Sequence, residues 1–305
     1  NSWNETIYPA SSFSSACVIN SVAYEVATAS PVTMSTLKIY MGETSRSTFS
    51  STSDWTPESD LTLVYSGTNV VIGSTTGWQE IQLDSPFTYE GEDNLVIVVS
   101  KTTANYSSSL KFYYTSETNT CMYRQSDSDL SYAEYPTGVG TRTAYKANVK
   151  LNVTPFVLTC HKPTAVELIG ATPTTITMGW TPYPGTGAFD VYISDEEAPS
   201  ATTTPTALNI TDTSYTFTGL TGGTVYNCYV RTNCGDGDVS GWRSITACTE
   251  PDFSGNGTES SPYLLYSKAD LDALTSVMSN GWTTSGKYFK VMRDIDGITS
   301  SIGVN

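Results

Sequence analysis

The sequence predicts an all-β protein built from consecutive sandwiches, and three observations carry that expectation. Apolar residues recur with a period of two along many short runs, as in strands with one dry and one wet face. Turns rich in Gly, Pro, Asn, Asp and Ser part these runs, and helical repeats between them are nearly absent. Only 15% of residues are charged, while Thr, Ser, Tyr and Gly abound, which suits the polar, uncharged sheet faces of an exported protein.

At 305 residues the chain has room for two domains or a little more. Its formal charge of −15 repels phosphate backbones and anionic lipid, so nucleic acid and membrane surfaces are poor partners. No apolar run approaches the roughly 18 residues of a membrane helix, and direct insertion is not expected. The chain opens at Asn1 without an initiator Met or leader, which reads as a processed or trimmed start.

The first expected domain spans residues 1–154. Leu37, Ile39 and Met41 alternate with more polar neighbours, as do Ile81 and Leu83, then Leu110, Phe112 and Tyr114. Ala147, Val149, Leu151 and Val153 alternate with Lys146, Asn148, Lys150 and Asn152, predicting one further strand. Leu95 to Val99 is continuously apolar and predicts a central strand covered on both faces. Such strands without intervening helices make a β-sandwich or jelly roll. The runs IYMGETSRSTFSSTSDWTPESDLTLVYSG (Ile39 to Gly67) and GWQEIQLDSPFTYEGEDNLVIVV (Gly77 to Val99) resemble the jelly-roll domain near the start of many secreted surface proteins of Bacteroidetes, related to cleaved-adhesin and galactose-binding-like sandwiches. That resemblance covers most of the domain and implies attachment to surfaces or glycans.

Residues 158–250 form the second expected domain. Ile176, Met178 and Trp180 alternate, then Phe189, Val191 and Ile193, then Tyr215 and Phe217, then Tyr226, Cys228 and Val230. About seven strands in roughly ninety residues, with an early Trp, fit a seven-stranded sandwich. The pattern resembles a fibronectin type III domain. Leu220-x-x-x-Thr224-x-Tyr226 matches its tyrosine corner, which implies that the Tyr226 phenol bonds to nearby backbone and pins the crossing between sheets. By the same logic Trp180 belongs to the core, and neither aromatic is catalytic.

A different grammar begins at residue 251 and is expected to run to 305 as an incomplete domain. Tyr263 to Tyr266 reads as a short strand, and Ser267-x-x-Asp270 as a capping box with Asp in place of Glu. Leu271, Leu274 and Met278 mark one helix face, Asn280-Gly281 is a stop, and Phe289 and Val291 lie on a following strand. This stretch resembles the capped opening of a right-handed β-helix region in bacterial surface proteins, including those with GLUG-type repeats. A β-helix covers its apolar faces only by stacking rung on rung. One rung alone must dock on the preceding domain, meet a second copy of the chain, or fray, and the native protein is expected to continue past Asn305.

The six cysteines contain no Cys-x-x-Cys pair and only one histidine, His161, so structural zinc is not expected. Disulfides are the leading expectation for an exported chain, with free buried thiols as the alternative. Cys160 opens the fibronectin-like sandwich and Cys234 ends its sixth strand at the same pole, which predicts a Cys160–Cys234 bridge. Cys228 and Cys248 fall nearly opposite each other across the last hairpin, and elimination leaves Cys17 with Cys121. Asp236-x-Asp238-x-Ser240-Gly241 imitates half of an EF-hand loop, but its twelfth position is Ala247 where a bidentate Glu is needed, so a turn is the better reading. The acidic clusters Asp127/Asp129 and Asp195/Glu196/Glu197 read as solvated loops, with a weakly held calcium ion as the alternative; no metal site and no cofactor are otherwise expected.

Motifs for metalloprotease, serine hydrolase, P-loop or dinucleotide chemistry are missing, and a lone histidine at a domain boundary does not make a Ser-His-Asp triad. No acid stands in a recognisable glycosidase motif. The expectation is therefore a non-catalytic secreted or cell-surface adhesin. Its partner would be a host or bacterial surface glycan or protein. The alternative is the accessory carbohydrate-binding region of a larger polysaccharide- or protein-degrading enzyme. Sugar recognition needs exposed aromatic platforms beside hydrogen-bonding groups. Trp55, Tyr106, Tyr132 and Tyr135, in expected loops at the end of the first sandwich, are the ligand-binding candidates.

Overall fold

A computed structural model describes residues 1–103, 108–136, 138–196, 198–199, 203–279 and 281–295. The chain divides into two compact units, Asn1–Leu158 and Thr159–Asn305.

The first unit holds strands β1 (Ser2–Tyr8), β2 (Cys17–Thr28), β3 (Val32–Thr44), β4 (Thr62–Ile72), β5 (Gly77–Tyr89), β6 (Asn94–Thr103), β7 (Lys111–Phe112), β8 (Tyr114–Gln125), β9 (Thr141–Ala147) and β10 (Val149–Pro155). They form two antiparallel sheets, ordered β4-β3-β6-β1-β8-β9 and β10-β2-β5, with β7 also pairing β2. Between the sheets Ile19 and Val22 of β2 pack with Ile39 and Met41 of β3, Leu83 of β5, and Leu95 and Ile97 of β6.

A second core lies on the outer face of the six-stranded sheet. There Trp3 and Ile7 of β1, Val96 and Val98 of β6 and Met122 of β8 pack with Phe49 and Trp55 from the β3–β4 connection. Period-two alternation thus sends Leu95 and Ile97 to one core and Val96 and Val98 to the other. The continuous apolar run is the strand covered on both faces that its sequence predicts.

Two expected strands are each broken in two. The chain leaves the smaller sheet between β7 and β8 at Tyr113, and re-enters it between β9 and β10 at Asn148. The crossings abut, with Asn148 N–H donating to the Tyr113 carbonyl at 3.0 Å and Tyr113 N–H to that of Glu25 at 2.9 Å. Alternation continues through both breaks, so the sequence pattern does not mark them.

The second unit begins with β11 (Ala165–Thr172), β12 (Thr175–Thr181), β13 (Phe189–Ser194), β14 (Ala207–Ile210), β15 (Ser214–Thr218), β16 (Val225–Gly235), β17 (Asp238–Val239) and β18 (Arg243–Cys248). A sheet β11-β12-β15 faces a second in which β14, β13, β16 and β17 follow one another and β18 also pairs β16. Ile176, Met178, Trp180, Phe189, Val191, Phe217, Tyr226, Cys228 and Val230 fill the space between them. The Tyr226 phenol oxygen accepts the Thr221 N–H at 3.1 Å, and Leu220 packs on the same core. Thr224 N–H donates to the Thr249 hydroxyl at 3.0 Å, holding the start of β16 to the end of β18.

Beyond this sandwich lie β19 (Tyr263–Leu265), helix α1 (Lys268–Ser279) and β20 (Phe289–Val291). β19 and β20 pair in parallel, with the helix as the connection between them. Ser267 and Asp270 cap α1 reciprocally: Asp270 Oδ2 accepts Ser267 N–H at 2.9 Å, and Ser267 Oγ accepts Asp270 N–H at 3.3 Å. At the other end Gly281 has φ +91°, and its N–H donates to Met278 while that of Trp282 reaches Val277, a Schellman stop. Asn280 of the expected stop lies outside the described residues.

Leu271, Leu274 and Val277 are the buried helix residues. Together with Leu265 they pack against Cys248 and, at its margin, Val225, so the segment docks on the sandwich before it. Two expectations change here. Val277 takes the fully buried place expected of Met278, which is only partly covered, and Val291 is 57% exposed. The terminal residues 296–305 lie outside the described part.

Cys160 and Cys234 form a disulfide across a separation of 74 residues. The other two expected bridges do not form, and Cys17, Cys121, Cys228 and Cys248 are free and buried. Cys228 lies opposite Ile245 and Cys248 opposite Val225. This three-residue offset sends the thiols to opposite faces, Cys228 into the sandwich core and Cys248 under the helix. Cys17 is on β2 of one sheet of the first unit. Cys121 is on β8 of the other, its thiol donating to Thr6 Oγ1 at 3.6 Å.

Candidate functional site

Of the aromatic set expected to hold a ligand, the three described members, Trp55, Tyr132 and Tyr135, do not form an exposed platform. Trp55 is 8% exposed and donates its indole N–H to the Gly138 carbonyl at 2.7 Å. Tyr135 donates to the Thr56 carbonyl at 3.1 Å and packs edge-on against Trp3. Tyr132 lies under the Arg124 guanidinium, 5.1 Å from its ring centre, and Tyr106 is outside the described residues. Trp55 and Tyr135 fold back onto the outer sheet face, because Trp3, Val96 and Val98 offer apolar surface there. Beneath them Glu5 is buried, accepting the Trp3 indole N–H at 2.9 Å and the Thr56 N–H at 3.0 Å. Burial pushes its carboxyl above the usual range, while these hydrogen bonds pull the other way.

A surface depression of this unit runs along β10, which among the described residues stands at the edge of its sheet. It encloses about 610 Å³ and is lined by Tyr8, Phe13, Trp78, Thr115, Lys146, Asn148 and β10 itself. A second hollow of about 530 Å³ adjoins it at Trp78, Leu151 and Val153 and adds Ala23, Glu80, Lys150 and Asn152. Trp78 is 46% exposed. Ala23 and Glu80 are directly paired across β2 and β5, and the small Ala23 lies between the outward side chains of Glu80 and Lys150.

The polar groups of the groove fall into two kinds. Glu80 accepts the Ser21 hydroxyl, Lys146 pairs with Glu117, and Asn148 donates to Glu25 at 2.9 Å. Among the described residues, the side chains of Lys150 and Asn152 make no hydrogen bond or ion pair. An exposed indole beside a free ammonium and a free amide can stack on one face of a ring and hydrogen-bond its substituents. Tyr114 and Tyr145 add an exposed edge-to-face pair at 4.8 Å on β8 and β9.

Parity carried the signal for Trp78. Ile81 and Leu83 point into the sandwich, so Trp78, Glu80 and Gln82 must point out, and a large indole on a wet face calls for a reason. Loops were a poorer guide, since apolar loop residues are free to fold back onto any uncovered sheet face.

Other singled-out residues take structural places. Asp236 and Gly237, with φ of +54° and +83°, form a two-residue hairpin turn between β16 and β17. Asp238 Oδ2 accepts the Thr159 hydroxyl at 2.9 Å. Cys160, Cys234 and Asp238 lie close enough together to hold an ion, but both sulfurs are committed to the disulfide. Asp129 accepts the Ser131 N–H at 2.9 Å and caps a short turn. His161 stacks on Tyr183 with ring centres 4.0 Å apart. Asp127, Asp195 and Glu196 are exposed, and Glu197 lies outside the described residues.

Residues 161–249 match the family described as fibronectin type III domain, and that domain accounts for the sandwich of the second unit. Among solved structures the chain is similar to the fibronectin type III domain of human fibronectin type III domain containing protein 3. That match has 22% identity and a TM-score of 0.25, covering 30% of this chain and 88% of the other. The fn3 domain of human collagen alpha-1(XX) chain matches at 23% identity and a TM-score of 0.26, covering 32% and 92%. An Fn3-like protein from Clostridium thermocellum matches at 25% identity and a TM-score of 0.26, covering 30% and 95%. No curated protein sequence matches the chain.

Proposed function

We propose that this chain is a non-catalytic binding protein of a bacterial cell surface or secretion, whose first unit holds a glycan in the groove beside Trp78. The observation that carries the reading is the exposed indole with Lys150 and Asn152 unengaged next to it. The fibronectin type III domain is a spacer in this scheme. The first unit is taken as a jelly roll of the cleaved-adhesin kind, and the segment after 250 as the first rung of a β-helix that presents further repeats. A neutral or cationic glycan suits the charge of −15 better than a polyanionic one. A surface protein bearing such glycans is the partner, and neither nucleic acid nor the bilayer is.

Screening the chain on a glycan array should give a family of related hits. Trp78→Ala should weaken the best of them at least tenfold, with an unchanged melting temperature. Equal affinity in that variant would reject the groove. The second reading, an accessory module of a polysaccharide- or protein-degrading enzyme, uses the same groove and differs in requiring a separate catalytic domain. Hydrolysis of a glycan or peptide by this chain, lost on one Asp or Glu substitution, would overturn the non-catalytic reading.

A further inference from the structure

We propose that a cleft between the two sheets of the first unit, separate from the Trp78 groove, binds a short aliphatic carboxylate, with the acyl chain between the sheets and the carboxylate met by Lys101 and Tyr24. The cleft holds about 220 Å³ where the sandwich core runs out. Its walls are mostly apolar, with Met34 and Leu37 of β3, Ile72 of β4, Ile81 of β5, Val99 of β6 and Phe112 of β7, and the uncharged Ser2, Asn4, Thr6 and Gln79 also line it. A volume below the roughly 300 Å³ where drug-sized pockets begin fits a short, narrow chain rather than a fused ring system.

Lys101 is out of character for its position. Leu95, Ile97, Val99 and Lys101 form the inward row of β6, and Lys101 is paired with Ser2 on one side and Leu37 on the other. The ammonium therefore stands at the wall of an apolar space, where burial draws its pKa down from the ordinary lysine value. Tyr24 lines the same cleft from the opposite sheet, and burial pushes its phenol well up. Among the described residues, neither the Lys101 nor the Tyr24 side chain makes a hydrogen bond or ion pair.

Desolvating an ammonium with no partner is costly, and an apolar void beside it forfeits dispersion contacts as well. One ligand answers both deficits: an alkyl chain fills the void, and a carboxylate supplies the missing counter-charge and accepts from the phenol. A neutral chain would fill the space but leave Lys101 unpaired. An alkyl ammonium would add repulsion. The rest of the surface is acidic and gives an anion no steering, so selectivity must come from this one cation.

The test is calorimetric titration of the full chain with octanoate, octanol and octylammonium. Octanoate should bind saturably and at least tenfold more tightly than octanol, with octylammonium weakest. Lys101→Met should bring octanoate to the level of octanol, Lys101→Arg should retain most of the affinity, and Ile72→Trp should abolish binding of both. The ligand comparison on the unaltered chain needs no variant to fold. Octanoate binding no tighter than octanol, or undiminished in Lys101→Met, overturns the proposal. Trp78→Ala should leave octanoate binding unchanged, so this site and the glycan groove stand or fall separately.

Discussion

The Cys160–Cys234 bridge ties the entry of the second unit to the end of β16, closing 74 residues of chain. On the chain-entropy scale a loop of this length contributes about 4 kcal/mol by restricting the unfolded state. The four remaining thiols are buried, and burial pushes that of Cys228 up to about 12. At mildly alkaline pH Cys228 carries almost no thiolate and has no path to reagent. Iodoacetamide without reductant should therefore leave the native protein unmodified and add four groups once it is unfolded, matching the four free cysteines. Reductant should raise the count to six and lower the melting temperature of the second unit. No labelling of the unfolded chain before reduction would mean that all six cysteines are paired.

Helix α1 shows how much local chemistry a short element needs. Twelve residues are marginal in water, and this helix is fixed at both ends and buried along one face. Asp270 accepts the N–H groups of Tyr266 at 2.7 Å and Ser267 at 2.9 Å, and these bonds, with that of Tyr266 foremost, hold its carboxyl below the usual range. A depressed folded-state pKa stabilises above the unfolded value and loses that contribution as pH falls through the folded one. Ser267→Ala should cost about 1 kcal/mol, and Asp270→Asn a similar amount at neutral pH. Hydrogen exchange of the Leu271 and Leu274 amides reads both. The difference between Asp270→Asn and the unaltered chain should shrink as the pH drops below the ordinary carboxylate range. A constant difference down to acid pH would exclude the ionised cap.

At the scale of the molecule, the segment after residue 250 is joined to the fibronectin type III domain by more than chain connectivity. Glu250 receives the Tyr263 hydroxyl at 3.0 Å and the Lys287 ammonium at 2.6 Å, and Cys248 is buried with Leu265, Leu271, Leu274 and Val277. Ending the chain at Glu250 should uncover Val225 and Cys248 and lower the stability of that domain. Loss of two half-covered apolar side chains amounts to about 1–3 kcal/mol. Differential scanning calorimetry should show the corresponding transition several degrees lower. An unmoved transition would make the segment a passive appendage.

Sequence alone determined what depends on near neighbours. Period two gave the strands, the apolar run of β6 its two covered faces, and Ser267 with Asp270 and Gly281 the two ends of α1, because each of these is written within a few residues. Tyr226 was placed by a spacing of six residues, and Cys160 with Cys234 by the sandwich pattern that surrounds them. What only the tertiary structure decided was which surfaces meet. The alternation from Ala147 to Val153 is unbroken although the chain changes sheets at Asn148. Trp55 and Tyr135 became core residues because an apolar face lay uncovered beneath them. Cys228 and Cys248 were kept apart by a three-residue register offset that neither segment contains by itself. The site followed the same rule: Trp78 is one outward residue on β5, and it becomes a groove only when β2 and β10 bring Ala23, Lys150 and Asn152 alongside. Packing between distant segments depends on register and on the faces left open, and these are set only when the sheets close.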